Sequence, residues 1–124
     1  VRNAYRPYQQ QKTIYNNYVA QDGEEEEANR YSARPGHSEH QSGLTMDVRT
    51  DEYNYDDFGK SEAYTWVKDN AHRFGYIIRY PEGKEEITKY MPEAWHLRYV
   101  GEEIATYLYK NDLTFDEYKI QNKT

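Results

Sequence analysis

Two of the four histidines in this sequence, His37, His40, His72 and His96, stand near carboxylates at spacings that suit a metal. His40 lies in the run Ser38-Glu39-His40-Gln41-Ser42-Gly43-Leu44-Thr45-Met46-Asp47, a glycine-bounded loop leading into a strand. Asp47 follows seven residues later, on the polar face of that strand. His96 follows Glu93 by three residues, at the start of another strand. Imidazole and carboxylate suit zinc in a tetrahedral shell, and a hydrolytic site leaves the fourth position to water. Two His and one carboxylate therefore complete a catalytic shell, with a second carboxylate free to move protons. On this reading His40, Asp47 and His96 bind one Zn²⁺ per chain and Glu93 works beside them. The H-E-x-x-H signature of helical zinc peptidases is absent, so the architecture is another one.

Each residue alone has an ordinary explanation. A lone histidine is more often a surface or packed side chain, and His72 on a helix is read that way. His37 reads as a structural neighbour, since Pro35 and Gly36 oppose the helix that would bring it beside His40. Asp47 alone would pass for a surface carboxylate. The joint pattern carries the metal reading.

The elements that must hold these residues follow from periodicity and punctuation. Val1 to Arg6 reads as the end of a strand, and Tyr8 to Ala20 as a helix with Gln11, Ile14, Tyr15 and Tyr18 on one face. A polar loop runs from Gln21 to about Arg30. Ser32 to Gly43 is an irregular loop. Leu44 to Arg49 alternates as a strand, with Leu44, Met46 and Val48 toward the core and Thr45, Asp47 and Arg49 on the polar side. Thr50 to Gly59 is an acidic, aromatic rim loop. Ser61 caps a helix through about Phe74, with Ala63, Trp66, Val67, Asn70, Ala71 and Phe74 inward and Gly75 ending it. Strands are predicted at Tyr76–Tyr80 and Trp95–Val100, and helices at Glu102 to about Lys110 and from Thr114 through Tyr118. The order implies an α+β fold with helices on a mainly antiparallel sheet.

Composition narrows the function. With no cysteine, disulfides, thiolate zinc sites and a Cys nucleophile are all excluded. A net charge of −6 with no Lys/Arg run disfavours nucleic acid as a partner. Glu24 to Glu27 reads as a solvated loop. No apolar stretch is long enough for a membrane span. The hydrophobic fraction is only 36%, but 15 Tyr, 3 Phe and 2 Trp supply rigid contact area, so a folded domain with a tyrosine-rich core is expected. The 124 residues suit a single domain, read as a monomer. Val1 in place of Met suggests a segment upstream.

Three blocks then resemble one family. Ser38 to Asp47 matches the pattern S-x-H-x-x-G-x-[AT]-x-D of the zinc D,D- and L,D-carboxypeptidases of bacterial cell walls, the VanY-type and LdcB-type enzymes. Glu93 to Gly101, EAWHLRYVG, is similar to their E-P-W-H-x-R-Y-V-G block, with Ala94 in place of proline. Tyr5-Arg6-Pro7-Tyr8 with Gln11 resembles their Y-R-[SP]-Y-x-x-Q segment, and Arg79-Tyr80-Pro81 a weaker fourth block.

The resemblance implies a hedgehog/D,D-peptidase-like zinc peptidase domain that removes D-alanine from peptidoglycan stem peptides. It implies that Glu93 is the proton shuttle, that Arg6 stabilises the oxyanion, and that Gln11, Ser38 and Trp95 bind the terminal residue. Arg98 is left as a structural partner of some acid. It further implies an extracytoplasmic site, with a signal or anchor upstream. Two rival readings stay open here: an L-Ala-D-Glu endopeptidase of the same superfamily, and a zinc-bearing binding domain without catalysis.

Overall fold

The computed structural model describes residues 1–122. Pro7 leads from extended backbone into helix α1, Tyr8–Asp22, which ends where Gly23 turns left-handed at φ 79° and donates its N–H to Val19. The segment expected as a polar loop contains one helical turn, α2 (Glu25–Ala28). Its glutamates point to solvent while Ala28 is fully buried, so a single apolar residue at the end of an acidic run anchors the turn. Tyr15 of α1 donates to Asn29 Oδ1 at 2.6 Å and closes α1 onto this turn.

Three strands form one antiparallel sheet in the order β1 (Thr45–Asp47), β3 (Glu93–Tyr99), β2 (Tyr76–Tyr80). β1 pairs with β3 so that Thr45 faces Arg98 and Asp47 faces His96. β2 pairs on the other side, with a register shift between Ile78 and Tyr80 that sets Tyr80 opposite Glu93. The N-terminal strand reduces to a single bridge, Asn3 to Asp47.

The expected inside and outside of β1 are exchanged. Thr45 and Asp47 are buried, whereas Leu44 is 43% exposed. Hydropathy alternation assumes that the polar face meets water, but here it meets the other polar side chains of the site. The opposite face, with Met46 and Leu97, looks toward α3 (Glu62–Asn70) and the 3-10 turn Ala71–Phe74 that follows it. Ser61 caps α3 by accepting from the Tyr64 N–H. Trp66 and Phe74, expected inward, are more than half exposed and lie against each other beside an open apolar groove.

Gly75 welds this layer to the sheet. At φ +85° its carbonyl accepts from Val100 and Gly101, and a Cβ there would meet the Tyr99 ring at 2.7 Å. A further single turn, α4 (Glu85–Thr88), leads to β3. Helix α5, Glu102–Asn111, packs on β2 through Ala105 and Leu108. Helix α6, Phe115–Gln121, starts from a capping box in which Thr114 and Glu117 satisfy each other's backbone N–H.

The core is less tyrosine-rich than the composition suggests. Tyr15 and Tyr80 are buried, but Tyr5, Tyr8, Tyr99, Tyr107 and Tyr109 stay exposed, since each hydroxyl keeps its water more cheaply at the surface. Phe58, assigned to the rim loop by sequence, is instead a core residue at 2% exposure, packed edge-on against Tyr64. Truncation of Phe58 to Ala removes the largest apolar side chain that is fully enclosed. It should cost about 3–5 kcal/mol, read as a lower urea midpoint at unchanged m-value.

Candidate metal centre

The loop expected around His40 tightens into a 3-10 turn, Glu39–Ser42. Ser38 caps it by accepting from the His40 N–H, and Gly43 releases the chain into β1 at φ 75°. The His40 carbonyl accepts from the Arg6 N–H at 2.9 Å, which fixes the N-terminal segment against the turn. Asp47 then ends β1, and the strand register brings His96 directly across from it. Sequence spacing alone offers no such pairing.

His40, Asp47 and His96 each offer one ligand atom, and these atoms lie within 4.8 Å of one another. His40 Nε2 is 3.2 Å and His96 Nδ1 3.4 Å from Asp47 Oδ1. The second ring nitrogens point outward to partners: His40 Nδ1 to the Ala4 carbonyl and His96 Nε2 to Glu39 Oε1 at 3.2 Å. Both rings therefore turn one nitrogen toward a common point and anchor the other, the usual dress of metal-bound histidine. Asp47 Oδ1 is buried without a hydrogen bond of acceptable geometry. A buried carboxylate oxygen left in that condition is costly unless a cation meets it. The donor set fits a mononuclear zinc site.

The electrostatics agree. Burial works against the charge of Asp47, yet the two imidazoles hold it well below the ordinary carboxylate range. Burial likewise opposes ionisation of Glu39, but His96 and Arg79 bring it down to about 2. His96 resists protonation by its burial, and is nevertheless raised to about 9 by Asp47, Glu39 and Glu93. A pocket that holds a proton so firmly is biased toward cations.

Glu93 opens β3 with its Oε2 3.5 Å from His96 Nδ1. Burial pushes its carboxyl up to about 7. Arg6 enters from the N-terminal side, with Nη2 3.9 Å from Asp47 Oδ2 and Nη1 donating to Gln11 Oε1 at 2.8 Å. Its Nε is buried and has no partner in the protein. Gln11 is 1% exposed, and its amide nitrogen donates to Ser32 and to the Ala33 carbonyl. Its polar atoms are thus committed to holding Arg6 and the Ser32–Ala33 loop.

A cavity of about 500 Å³ opens over the cluster. Arg6, Gln11, Ser38 and Trp95 line it together with the three candidate ligands and Glu93. Tyr55 of the aromatic loop lies 6.1 Å from the Trp95 ring and extends the wall. His37 is exposed and His72 stacks on Tyr109 at 3.9 Å, both apart from the cluster. Glu39 and Asp116 carry no role in the sequence reading, and Tyr80 enters it only within the Arg79-Tyr80-Pro81 block. Tyr80 lies 4.9 Å from the His96 ring, and Glu39 binds both Arg79 and Arg98. No spacing rule finds the Glu39 contacts, because they join residues 40 and 59 positions apart.

Fold and centre together define a small α+β domain with a candidate His/Asp/His metal site and a buried carboxylate beside it. Residues 1–102 match the model of the VanY family, D-alanyl-D-alanine carboxypeptidase, and the chain belongs to that family. It is 48% identical over 119 residues to YodJ of Bacillus subtilis (strain 168), covering 94% of this chain and 43% of that protein. It superposes on the LdcB LD-carboxypeptidase with a TM-score of 0.88 at 46% identity, covering 97% of this chain and 57% of that one. It superposes on the vancomycin resistance D,D-pentapeptidase VanY of a VanB-type cassette, solved with Zn(II), with a TM-score of 0.83 at 40% identity. Those figures cover 95% of this chain and 69% of the VanY one. The chain thus spans less than half of YodJ and little more than half of the LdcB structure. Among the described residues, no helix is long and apolar enough to cross a membrane.

If the cluster holds zinc, added metal must stabilise the folded chain by mass action. Free Zn²⁺ at 100 times its dissociation constant should raise stability by about 2.7 kcal/mol in the wild type. Asp47→Ala should abolish that gain in a thermal melt.

Proposed function

We propose that this chain is the catalytic domain of a zinc carboxypeptidase that removes the C-terminal D-alanine from peptidoglycan stem peptides. The observation that carries the reading is Asp47 Oδ1, buried and unsatisfied between two anchored imidazoles, with Glu93 and the free Nε of Arg6 on the same cavity. Family membership and the names of the neighbouring carboxypeptidases support the substrate class. Such a substrate lies outside the cytoplasmic membrane, and the domain is placed there with it.

His40 Nε2, Asp47 Oδ1 and His96 Nδ1 would hold the metal. Zinc bound there would polarise the scissile carbonyl and acidify a water from a pKa of 15.7 to roughly 7. Glu93 accepts the proton of the attacking water. The amide C–N bond then breaks, and Glu93 returns the proton to the departing D-alanine nitrogen. A carboxyl held near neutrality by burial serves both directions of that transfer. Arg6 donates to the oxyanion that forms on the scissile carbonyl, and Gln11 keeps the guanidinium aimed by accepting from Nη1. Ser38 and Trp95 shape the space for the terminal residue.

The retained Glu93 and Arg6 favour catalysis over a purely structural zinc domain, which has no use for either. Between the two stem substrates, the R-Y-P block and the LdcB-like signature favour the tetrapeptide, whose D-alanine follows Lys or diaminopimelate.

Wild type and Glu93→Gln are assayed on tetrapeptide and pentapeptide after zinc quantification. Both should hold about one zinc, and the variant should lose on the order of 10²–10⁴-fold in D-alanine release. Equal activity of the two would sink the assignment of Glu93, and exclusive cleavage of pentapeptide would sink the tetrapeptide preference. Arg6→Ala should keep its zinc while the rate drops about 100- to 1,000-fold.

A further inference from the structure

A line of buried charge runs from the metal centre to the last helix. His96 presents Nδ1 to the cluster and Nε2 to Glu39 Oε1, 3.2 Å away. A histidine that ligates through Nδ1 must carry its proton on Nε2, and a carboxylate is an acceptor for that proton and nothing else. Glu39 is itself held from behind. Its Oε2 accepts from Arg79 Nε at 2.8 Å and from Arg98 Nη1 at 3.0 Å. The Arg79 guanidinium, 5% exposed, turns its far edge to the Asp116 carboxylate in a two-pronged pair, Nη1 to Oδ2 and Nη2 to Oδ1. The Phe115 ring lies 5.4 Å from the guanidinium carbons of both Arg79 and Arg98, so the first turn of α6 grips the pair from one side.

The arrangement is balanced. Two carboxylates and two guanidiniums sum to zero, so these four side chains add no net charge to the site. Each end is fixed independently: His96 by the sheet register and Asp116 by the Thr114–Glu117 capping box of α6. Asp116 also lies beyond residues 1–102, where the family match ends.

We propose that Glu39 is the positioning residue that selects the zinc-binding tautomer and orientation of His96, and that Asp116 of α6 sets zinc affinity through Arg79 and Glu39. This rests on the zinc reading of the cluster given above. The Glu39→Gln substitution removes the charge and brings an NH₂ that can turn toward Nε2, which favours the tautomer with a proton on Nδ1, where the metal must sit. The Asp116→Asn substitution leaves Arg79 with one charged partner in place of two, and lets it draw Glu39 away from His96.

The test is the zinc dissociation constant of the whole chain, by competition with a chromogenic chelator, for wild type, Glu39→Gln and Asp116→Asn. Melting of each metal-free protein and imidazole proton spectra of each zinc-loaded one accompany it. Glu39→Gln should weaken zinc about 10- to 100-fold, as loss of a ligand's outer partner does. The exchange-protected Nε2 proton of His96, present in the wild type, should be lost. Asp116→Asn should weaken zinc roughly twofold to thirtyfold, the range for coupling through a packed network. A Glu39→Gln protein that binds zinc within twofold of wild type and keeps the protected proton overturns the proposal while the zinc reading stands. A wild type that takes up no zinc overturns both, and is recognised by that result alone. Unchanged affinity in Asp116→Asn overturns the role of α6. If Glu39→Gln does not fold, Glu39→Asp decides the same point, since it keeps the charge but withdraws it from His96; undiminished zinc affinity there overturns the role of Glu39.

Discussion

Everything at the centre depends on the pairing of β1 with β3. That antiparallel register sets Asp47 opposite His96 and so brings a carboxylate and an imidazole from distant parts of the chain to one face. A slip of one residue in either strand would send its member of the pair to the opposite face, toward the apolar layer under α3, and part the two. Three short strands with a bulge are a thin support for so exacting a demand. The surrounding connections make up for this. Asn3 bridges the outer edge of β1, Arg6 bonds the His40 turn, and Gly75 ties the far end of β3 to the helical layer.

The sheet divides the molecule by polarity rather than into inside and outside. One face carries the candidate ligands, Arg6, Gln11 and Glu93, all buried or half-buried and nearly all bonded. The other carries the hydrocarbon contacts around Phe58 and Leu97. This explains why so modest a hydrophobic fraction is enough. A large share of the buried volume is polar side chains that satisfy one another, and a buried charge is tolerated only on that condition. Among the described residues three buried side-chain atoms lack a partner: His72 Nδ1, which lies apart from the site, and Asp47 Oδ1 and Arg6 Nε, whose residues line the cavity where a cation and an oxyanion would complete them. A buried polar group left unsatisfied calls for an explanation, and a missing ion or a catalytic role is one.

Charge then organises the shells outward from that point. The imidazoles are held by a backbone carbonyl on one side and by Glu39 on the other, and Glu39 is steadied by two arginines. Arg79 hands the constraint on to α6, a helix that contributes nothing to the cavity wall. A peripheral helix is thereby joined to the centre by a salt bridge and by the Phe115 ring against the same arginines. Burial makes such bridges stronger per contact and also makes the loss of any one partner more costly.

The sequence by itself determined the chemistry that could be assembled. Only His, Asp and Glu could serve as ligands in a chain without cysteine, and the signature around His40 with the His96 block named six of the residues that meet at the cavity: Ser38, His40, Asp47, Glu93, Trp95 and His96. It also determined the local elements with strong periodicity or punctuation, such as α1 after Pro7, β2 before Pro81 and the Thr114-capped last helix. Tertiary structure decided what faces what. Alternation placed Leu44 inward and Asp47 outward, but the buried neighbours of Asp47 are polar, so the sides are exchanged. Trp66 and Phe74 follow a helical stripe yet remain exposed, and Phe58 leaves its loop for the core. Glu39, Arg79 and Asp116 are 37 to 40 residues apart along the chain, and only folding makes them one line. Local pattern reports the backbone's preference, whereas the environment of a side chain is set by residues that the pattern never contains.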